Sequence, residues 1–312
     1  MKILITGNKG FVGSATQREL EKCGHQVVGF DIMENKDIKD LGQLELCIQK
    51  EQPDRILHLA AIARFSEARR NRKLAFETNG IGTMNVSRVA NKYHIPLVYS
   101  STGSAIMPLD EYKPPYAEDI QSEGNSAYGC SKSWGETYVE EINPHIILRY
   151  AHIYGKEKRH HGLIGGFLKR IQFGMQPILY GGKQGNDFCY IDDIVQANVL
   201  ALTTPFENWN EIYNVGTGEE LTAEEAGKMV CEVFGYKGKI EKKTGRTVDP
   251  MRFVFDITKI KNRLGYVPKF KFREGLLEMK KQIENDKKQE NSNSGRIWLD
   301  RPGTGTPTCT PK

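Results

Sequence analysis

Residues 2–13 of the chain read K-I-L-I-T-G-N-K-G-F-V-G, an apolar run that opens directly into a glycine-rich turn. Residues 14–23 then show helical spacing, and residues 26–30 form a second short apolar run. This order predicts a strand, a helix and a second strand. Glycines in the first turn permit a sharp bend and let a pyrophosphate reach the backbone N–H groups that begin the helix. These glycines are Gly7, Gly10 and Gly13.

The alternation of strands and helices continues along the chain. Further strands are predicted at 55–60, 97–101 and 146–150, and helices at 41–52 and 127–141, with helical segments up to residue 91. Parallel neighbours in a sheet need such crossovers, and the crossovers are right-handed. The sequence therefore predicts an α/β fold with a doubly wound parallel sheet of the Rossmann type, followed by a smaller mixed α/β lobe.

Composition limits the class of protein. The chain has 312 residues, 38% of them hydrophobic and 27% charged, which is enough to bury a large core. It contains no apolar run of the length that a membrane span needs, and we predict no membrane partner. Its six cysteines form no C-x-x-C pair, so we expect no bound metal, and reduced thiols in the cytoplasm. A net charge of +5, spread beside 39 acidic residues, favours a small anionic ligand over nucleic acid.

An acidic residue at the end of the second strand makes the glycine turn more specific. Glycines alone would fit any strand-to-helix turn, but Asp31 lies where a carboxylate accepts hydrogen bonds from the ribose hydroxyls of a dinucleotide. The same carboxylate would repel a ribose phosphate, and no arginine follows closely to receive one. We therefore predict NAD, and not NADP, as the cofactor.

Two elements suggest catalysis. Tyr128 and Lys132 are four residues apart, so they share one face of a predicted helix, where an ammonium group would lower the pKa of the phenol. A second such pair, Tyr154 with Lys158, falls in a polar, loop-like run. Three hydroxyl residues also end a predicted strand, and ligands of doubly wound folds lie beyond that edge of the sheet. These residues are Ser100, Ser101 and Thr102.

Ordered motifs extend this pattern over residues 1–282. They are H-L-A-A at 58–61, N-G-I-G-T at 79–83, Y-S-S-T at 99–102, Y-G-C-S-K at 128–132, L-R-Y-A-H-I-Y-G at 148–155, D-F-C-Y-I-D-D at 187–193 and Y-N-V-G-T-G at 213–218. With them the chain resembles the extended short-chain dehydrogenase/reductase family, in its NAD-dependent nucleotide-sugar epimerase and dehydratase branch. The resemblance implies a nucleotide-diphosphate sugar as substrate, a role in polysaccharide biosynthesis and a homodimer.

The resemblance also implies a role for individual residues. The catalytic set would be Thr102, Tyr128 and Lys132. Besides the glycines, Asp31, Tyr128 and Lys132, the cofactor would contact Phe11, Val12, Asp40, Leu41, Leu59, Ala60, Ala61, Asn79, Ser100 and Tyr150, with Asp40 and Leu41 at the adenine. The substrate would contact Ser101, Thr102, Tyr128, His152, Asn186 and Arg246.

Departures from the family pattern narrow the activity. The 4,6-dehydratases place an Asp-Glu pair directly after the catalytic threonine, where this chain has Gly103 and Ser104, and the decarboxylases have a glutamate there. His152 replaces a more usual asparagine, and Asn186 stands where many relatives have an arginine. We predict a 4-epimerase, an isomerase. The alternatives are an NAD(P)H-dependent ketosugar reductase, a dehydratase and a non-catalytic nucleotide-binding protein. The reductase stays open because the stretch between residues 31 and 40 is short, as it is in the ketosugar reductases.

The same reasoning predicts the domain organisation. We expect an NAD-binding Rossmann domain over residues 1–154, with returning segments at about 187–217. Residues 155–186 and 218–284 would form the substrate-binding lobe. Residues 285–312 are rich in Asn, Ser, Gly, Pro and Thr, which predicts a flexible tail whose last part resembles a cloning remnant.

Overall fold

The computed structural model describes residues 1–103, 113–121, 124, 126–156, 162–245 and 252–299, with side chains up to residue 288. The strands of the described part are β1 Lys2–Thr6, β2 Gln26–Phe30, β3 Arg55–His58, β4 Leu97–Thr102, β5 His145–Tyr150, β6 His152–Tyr154, β7 Ile178–Tyr180, β8 Gly185–Asn186, β9 Phe188–Tyr190, β10 Glu211–Val215, β11 Leu221–Thr222, β12 Glu241–Lys243 and β13 Arg252–Phe253. The helices are α1 Phe11–Lys22, α2 Leu41–Glu51, α3 Phe65–Arg70, α4 Arg72–Phe76, α5 Thr83–Lys92, α6 Ala127–Glu140, α7 Gly162–Gln172, α8 Ile191–Thr203, α9 Ala223–Val233, α10 Thr258–Leu264 and α11 Phe272–Leu299. A π-helix, Glu77–Gly82, joins α4 to α5, and short 3₁₀ turns lie at Ile32–Glu34 and Phe206–Asn208.

The central sheet has six strands in the order β10-β5-β4-β3-β1-β2, and every neighbouring pair is parallel. Apolar residues on its two faces belong to separate cores, with Ile3 and Ile5 in one and Leu4 in the other. Burial on both faces explains why β1 reads as a continuous apolar run and does not alternate. The predicted doubly wound parallel sheet is confirmed.

Strand order reverses between β1 and β3, because the chain moves to β2 on one side and then continues through β3, β4 and β5 on the other. In such sheets, ligands bind beyond the carboxyl ends of the strands next to the reversal. The residues that follow β1, β2, β3 and β4 therefore meet at one edge of the sheet.

Apart from β10, the strands after β5 form smaller sheets. Three strands pair in the order β11-β8-β13, β7 pairs with β12, and β6 pairs with β9. Helices α7, α9 and α11 supply a third apolar cluster, to which Phe167, Val230 and Met279 belong. Helix α11 continues to Leu299, so it passes residue 285, where the sequence predicts a tail. No helix in the described ranges is both long enough and apolar enough to span a bilayer.

Candidate active site at the carboxyl edge of the sheet

The glycine turn leaves no room for side chains. Gly7 has a φ of +74°, and a Cβ on it would lie 2.7 Å from the amide nitrogen of Ala60. A Cβ on Gly13 would lie 2.1 Å from the carbonyl oxygen of Gly7. The amide of Gly10 donates to that same carbonyl oxygen at 3.0 Å, and α1 begins at the next residue without a side-chain cap. Phe11 and Val12 therefore open a helix whose first N–H groups suit a pyrophosphate.

Asp31 is 6% exposed and follows β2 directly. One carboxylate oxygen accepts the backbone N–H of Lys9 at 2.9 Å, and the other accepts that of Met33 at 2.9 Å. The carboxylate is thereby held against the glycine turn. Each of its oxygens keeps a further lone pair for a ribose hydroxyl. The glycine cradle and this acceptor together fit NAD.

Asp40 and Leu41 form the start of α2. The carboxylate of Asp40 accepts the backbone N–H of Gln43 at 3.1 Å as the helix N-cap. Both residues line an open groove whose other side includes Ile81. This groove lies at the edge where the resemblance implies an adenine site.

The segment after β3 is tied to both the glycine turn and α6. The amide of Leu59 donates to the carbonyl of Thr6 at 3.1 Å, and the amide of Ala60 donates to the Thr6 hydroxyl at 3.2 Å. Asn79, fully buried in the π-helix, accepts the amide of Ile62 at 2.8 Å and donates to the Ser131 hydroxyl at 2.9 Å. These bonds hold residues 59–61, including Ala61, between the glycine turn and α6. π-Helical turns are frequent at functional sites.

Thr102 and Tyr128 meet where β4 ends and α6 begins. The Thr102 side chain lies near the Tyr128 phenol and favours its ionised form. Ser126 caps α6 by accepting the amide of Gly129 at 3.0 Å, which places Tyr128 in the first turn of the helix. Burial raises the pKa of Tyr128 to about 12, and the Thr102 side chain acts against this rise. The structure thus brings two of the three predicted catalytic side chains close together.

Lys132 lies one turn further along α6 and is 3% exposed. Its ammonium nitrogen is 4.2 Å from the centroid of the Tyr99 ring. Burial lowers its pKa to about 7, while the Glu136 carboxylate favours the charged form. The expectation that Lys132 lowers the pKa of Tyr128 is therefore wrong for the protein alone, because desolvation is the largest cause of the pKa shift at both groups and Lys132 is not among the causes at the phenol.

The remaining predicted residues have diverse surroundings. The hydroxyl of Ser100 donates to the carbonyl of His58 at 3.0 Å, so it ties β4 to β3. Ser101 is 3% exposed, and its hydroxyl has no hydrogen-bond partner within the described part of the chain. The hydroxyl of Tyr150 donates to Asn198 of α8, which in turn donates to Thr16 of α1. Through its hydroxyl, Tyr150 thus links β5 to helices α8 and α1.

The substrate-side residues lie among aromatic rings. The His152 ring centroid is 5.9 Å from that of Phe188 and 5.6 Å from that of Phe253. Asn186, in β8, donates its side-chain amide to the carbonyl of Gln184 at 3.0 Å. Arg246 falls outside the described residues.

Gly103 directly follows Thr102 and is closed in by two phenylalanines. A Cβ on Gly103 would lie 2.0 Å from Cζ of Phe255 and 2.8 Å from Cζ of Phe253. Both rings are buried in the core, so neither can move away cheaply. No side chain fits after Thr102 while these rings keep their positions.

Two groups of charged residues near the site were not predicted as site residues. Arg149 and Glu136, each 3% exposed, form a bidentate ion pair with N···O distances of 3.1 and 2.9 Å. Lys9, Glu34 and Lys36 form a cluster of ion pairs beside Asp31. For the first group, the sequence signal was that Glu136 lies four residues after Lys132, on the same face of the predicted helix. The second group joins residues from two separate turns, which no spacing along the chain indicates.

Comparison with known proteins agrees with this geometry. A family model described as the NAD dependent epimerase/dehydratase family matches residues 3–216. The solved UDP-glucose 4-epimerase of Thermotoga maritima, crystallised with UDP-glucose, is 29% identical, and the match covers 92% of this chain and 99% of that one with a TM-score of 0.85. The UDP-glucose 4-epimerase of Thermus thermophilus, in complex with NAD, is 28% identical over 89% of this chain and 97% of that one, with a TM-score of 0.78.

Relatives of similar identity differ in activity. The UDP-N-acetyl-alpha-D-glucosaminuronate decarboxylase of Bacillus cytotoxicus is 28% identical over 91% of this chain and 99% of that protein. Overall similarity therefore assigns the family and the cofactor, and the choice of reaction depends on particular residues of the site.

Proposed function

The chain belongs to the NAD-dependent epimerase/dehydratase family and uses NAD, and we propose that within this family it is a nucleotide-sugar epimerase acting at C4. The observation that carries the proposal is the closed space beside Gly103. It leaves the Thr102 and Tyr128 pair intact and excludes a further acid at the next position.

Each residue has a defined task in this reaction. The glycine turn and Asp31 would hold the dinucleotide, and Lys132 would bind the nicotinamide ribose. Bound NAD would supply the redox chemistry, namely the uptake of a hydride from the sugar carbon and its return. Tyr128 would remove the proton from the ring hydroxyl at that carbon, and Thr102 would hydrogen-bond the same oxygen. Once the ketosugar had turned in its pocket, the hydride would return to the opposite face of the carbon, Tyr128 would return the proton to the oxygen, and the configuration would be inverted.

Dehydration and decarboxylation need a further acidic side chain next to the catalytic threonine, as the resemblance implies. Phe253 and Phe255 fill the space that a side chain at position 103 would need. An aspartate or glutamate there would displace buried rings, which costs about 1–3 kcal/mol or more. The site therefore favours a reaction that needs only the tyrosine, the threonine and the cofactor.

We also propose where the substrate binds, where in the cell the enzyme works and how it assembles. The nucleotide sugar would bind between the sheet edge and the lobe of residues 155–186 and 218–284, and the enzyme would work in the cytoplasm as a homodimer. Half-exposed Trp134 of α6 packs edge-to-face against Phe76 of α4 and would form part of the dimer contact. Light scattering on the intact protein and on Trp134→Glu tests the assembly: a monomeric wild type contradicts it.

One experiment separates the candidate reactions. The purified protein is denatured to identify its retained nucleotide, and native protein is incubated with UDP-, dTDP-, GDP- and CDP-sugars while products are resolved by NMR. We expect retained NAD and interconversion of C4 epimers without added cofactor. Consumption of one NADPH per product would instead identify a ketosugar reductase, and a 4-keto-6-deoxy product would identify a dehydratase.

A further inference from the structure

Four charged side chains lie together at the ribose end of the cofactor site. The Lys9 ammonium is 2.8 Å from one oxygen of Glu34, and the Lys36 ammonium is 3.1 Å from the other oxygen. Lys36 also donates to the carbonyl of Gly29 in β2 at 2.9 Å. Asp31 is the fourth charged residue, and its carboxylate accepts the backbone N–H of Lys9. We call Lys9, Glu34 and Lys36 the ribose-end cluster.

The ribose-end cluster is built from two turns that converge on Asp31. Lys9 belongs to the glycine turn after β1, and Glu34 and Lys36 belong to the turn after β2. The exposed fractions of the side chains are 48% for Lys9, 37% for Glu34 and 40% for Lys36. A ligand group that extends from the ribose beside Asp31 can therefore reach them from solvent.

Two lysines at this position could bind a phosphate on the ribose. Phosphate recognition commonly uses lysine ammonium groups as point charges. Here both ammonium groups already bind the Glu34 carboxylate. Their hydrogen bonds lower the pKa of Glu34. With Asp31 counted, the two positive and two negative charges cancel.

We propose that Glu34 is a specificity-determining residue that keeps this protein selective for NAD by occupying the two lysines that would otherwise bind the 2′-phosphate of NADP. Asp31 recognises the ribose hydroxyls, and Glu34 neutralises the cations beside them. The inference concerns nucleotide selectivity, so it holds whichever sugar reaction the enzyme performs.

The test measures nucleotide binding and not turnover. Wild type and Glu34→Gln are equilibrated with equal concentrations of NAD and NADP until the bound ratio is constant, separated from free nucleotide, and denatured so that the bound nucleotides can be quantified by chromatography. We expect the ratio of bound NADP to bound NAD to rise about tenfold in Glu34→Gln, since two ammonium groups become available to the phosphate. This gain should shrink at high salt, because exposed charges are screened.

Two further variants make the result decisive. Glu19→Gln removes a comparably exposed partner from the Lys22 ion pair of α1, at 3.0 Å, and should leave the ratio unchanged. Glu34→Gln combined with Lys9→Met and Lys36→Met should return the ratio to the wild-type value. The proposal is overturned if Glu34→Gln shifts the ratio no more than Glu19→Gln does, or if the gain persists without the lysines or at high salt.

Discussion

At the scale of single residues, burial shifts the pKa values of the two reactive side chains, Tyr128 and Lys132. It raises the pKa of the Tyr128 phenol to about 12 and lowers that of the Lys132 amine to about 7, so both groups are shifted toward their neutral forms in the protein alone. Opposite charge nearby favours an ionised group. The positive nicotinamide ring of bound NAD would therefore favour the phenolate that the proposed reaction needs.

We predict that Tyr128→Phe lowers turnover by about 10²- to 10⁴-fold, the contribution typical of proton transfer by a positioned group. Bound NAD should remain, since the Asp31 carboxylate and the glycine turn are untouched. Turnover is measured by NMR, and bound nucleotide by chromatography after denaturation. Tyr138→Phe on the same helix is the control and should retain full activity. Comparable turnover in both variants would contradict the role of Tyr128.

The low pKa of Lys132 makes stability depend on pH. An exposed lysine titrates near pH 10.4, whereas Lys132 in the folded protein titrates near 7. Between these values the unfolded chain holds the proton and the folded chain has released it. The free energy of unfolding from this group therefore rises with pH across that window.

We expect the free energy of unfolding of wild type, minus that of Lys132→Met, to increase between pH 7 and 10 by up to about 1 kcal/mol per pH unit. Urea unfolding of nucleotide-free protein at several pH values measures this difference. The same subtraction with Lys237→Met, which removes an exposed lysine, serves as the control. A difference for Lys132→Met that does not change with pH would show that the amine is not desolvated in the folded protein.

At the scale of elements, buried charges connect α6 to β5 and to the segment before α6. Glu136 of α6 pairs with Arg149 of β5, whose guanidinium also donates to the carbonyls of Glu118 and Ile120 at 3.1 Å each. The helix that carries Tyr128 and Lys132 is thereby held to the sheet. Such a pair fixes position, because a buried charge without its partner is costly.

Glu136→Gln should lower the free energy of unfolding by about 3–5 kcal/mol, since it leaves the Arg149 guanidinium buried without a counter-charge. Glu220→Gln removes a carboxylate from the exposed pair with Arg252, whose arginine side chain is 60% exposed. That change should cost less than about 1 kcal/mol. Chemical denaturation compares the two variants, and equal losses would contradict the account of the buried pair.

The packing of Gly103, the residue after β4, against Phe253 and Phe255 gives a steric prediction. Gly103→Ala places a Cβ against the Phe255 ring and should lower the free energy of unfolding by about 1–3 kcal/mol while reducing turnover. Gly166→Ala in α7 meets nothing within 4 Å and should be neutral or stabilise the protein by up to about 1 kcal/mol. Thermal unfolding measures both variants. A Gly103→Ala variant as stable as Gly166→Ala would refute the closed space beside Thr102.

At the scale of the whole molecule, α11 packs against the elements that follow β5. Leu276 and Met279 of this helix are buried in the third apolar cluster, Ile283 packs against it, and Asp286 forms an ion pair with Lys156. These contacts join the end of the chain to the elements around β6 and β9. Among the described side chains, the packing of α11 ends at this point.

Removal of residues 289–312 should therefore leave the melting temperature within about 2 °C of the wild-type value, because the contacts up to Asp286 remain. A shorter chain that ends at residue 275 loses Leu276, Met279 and Ile283 and should melt well below wild type, since burying such side chains contributes about 1.5–3 kcal/mol each. Differential scanning calorimetry compares the three chains. A large loss from the first truncation would show that residues 289–312 support the fold.

Local patterns were sufficient for the fold class and for the elements that carry the candidate catalytic residues. Alternation of apolar runs predicted the sheet, and the Tyr128 to Lys132 spacing predicted residues that α6 places on one face. The closeness of Thr102 to Tyr128 followed from the rule that strand ends share one edge. The pKa of Tyr128 did not follow, because desolvation depends on everything packed around the phenol and not on one neighbour.

By itself the sequence determined the order of strands and helices, the glycine turn and the acid that ends β2. These features arise from side-chain periodicity and backbone freedom within a few residues. The tertiary structure alone decided that Phe253 and Phe255 fill the space after Thr102, that Arg149 pairs with Glu136, and that Lys9 and Lys36 share Glu34. Such meetings depend on how distant segments pack, and no local pattern encodes which side chains then come within a few ångströms of one another.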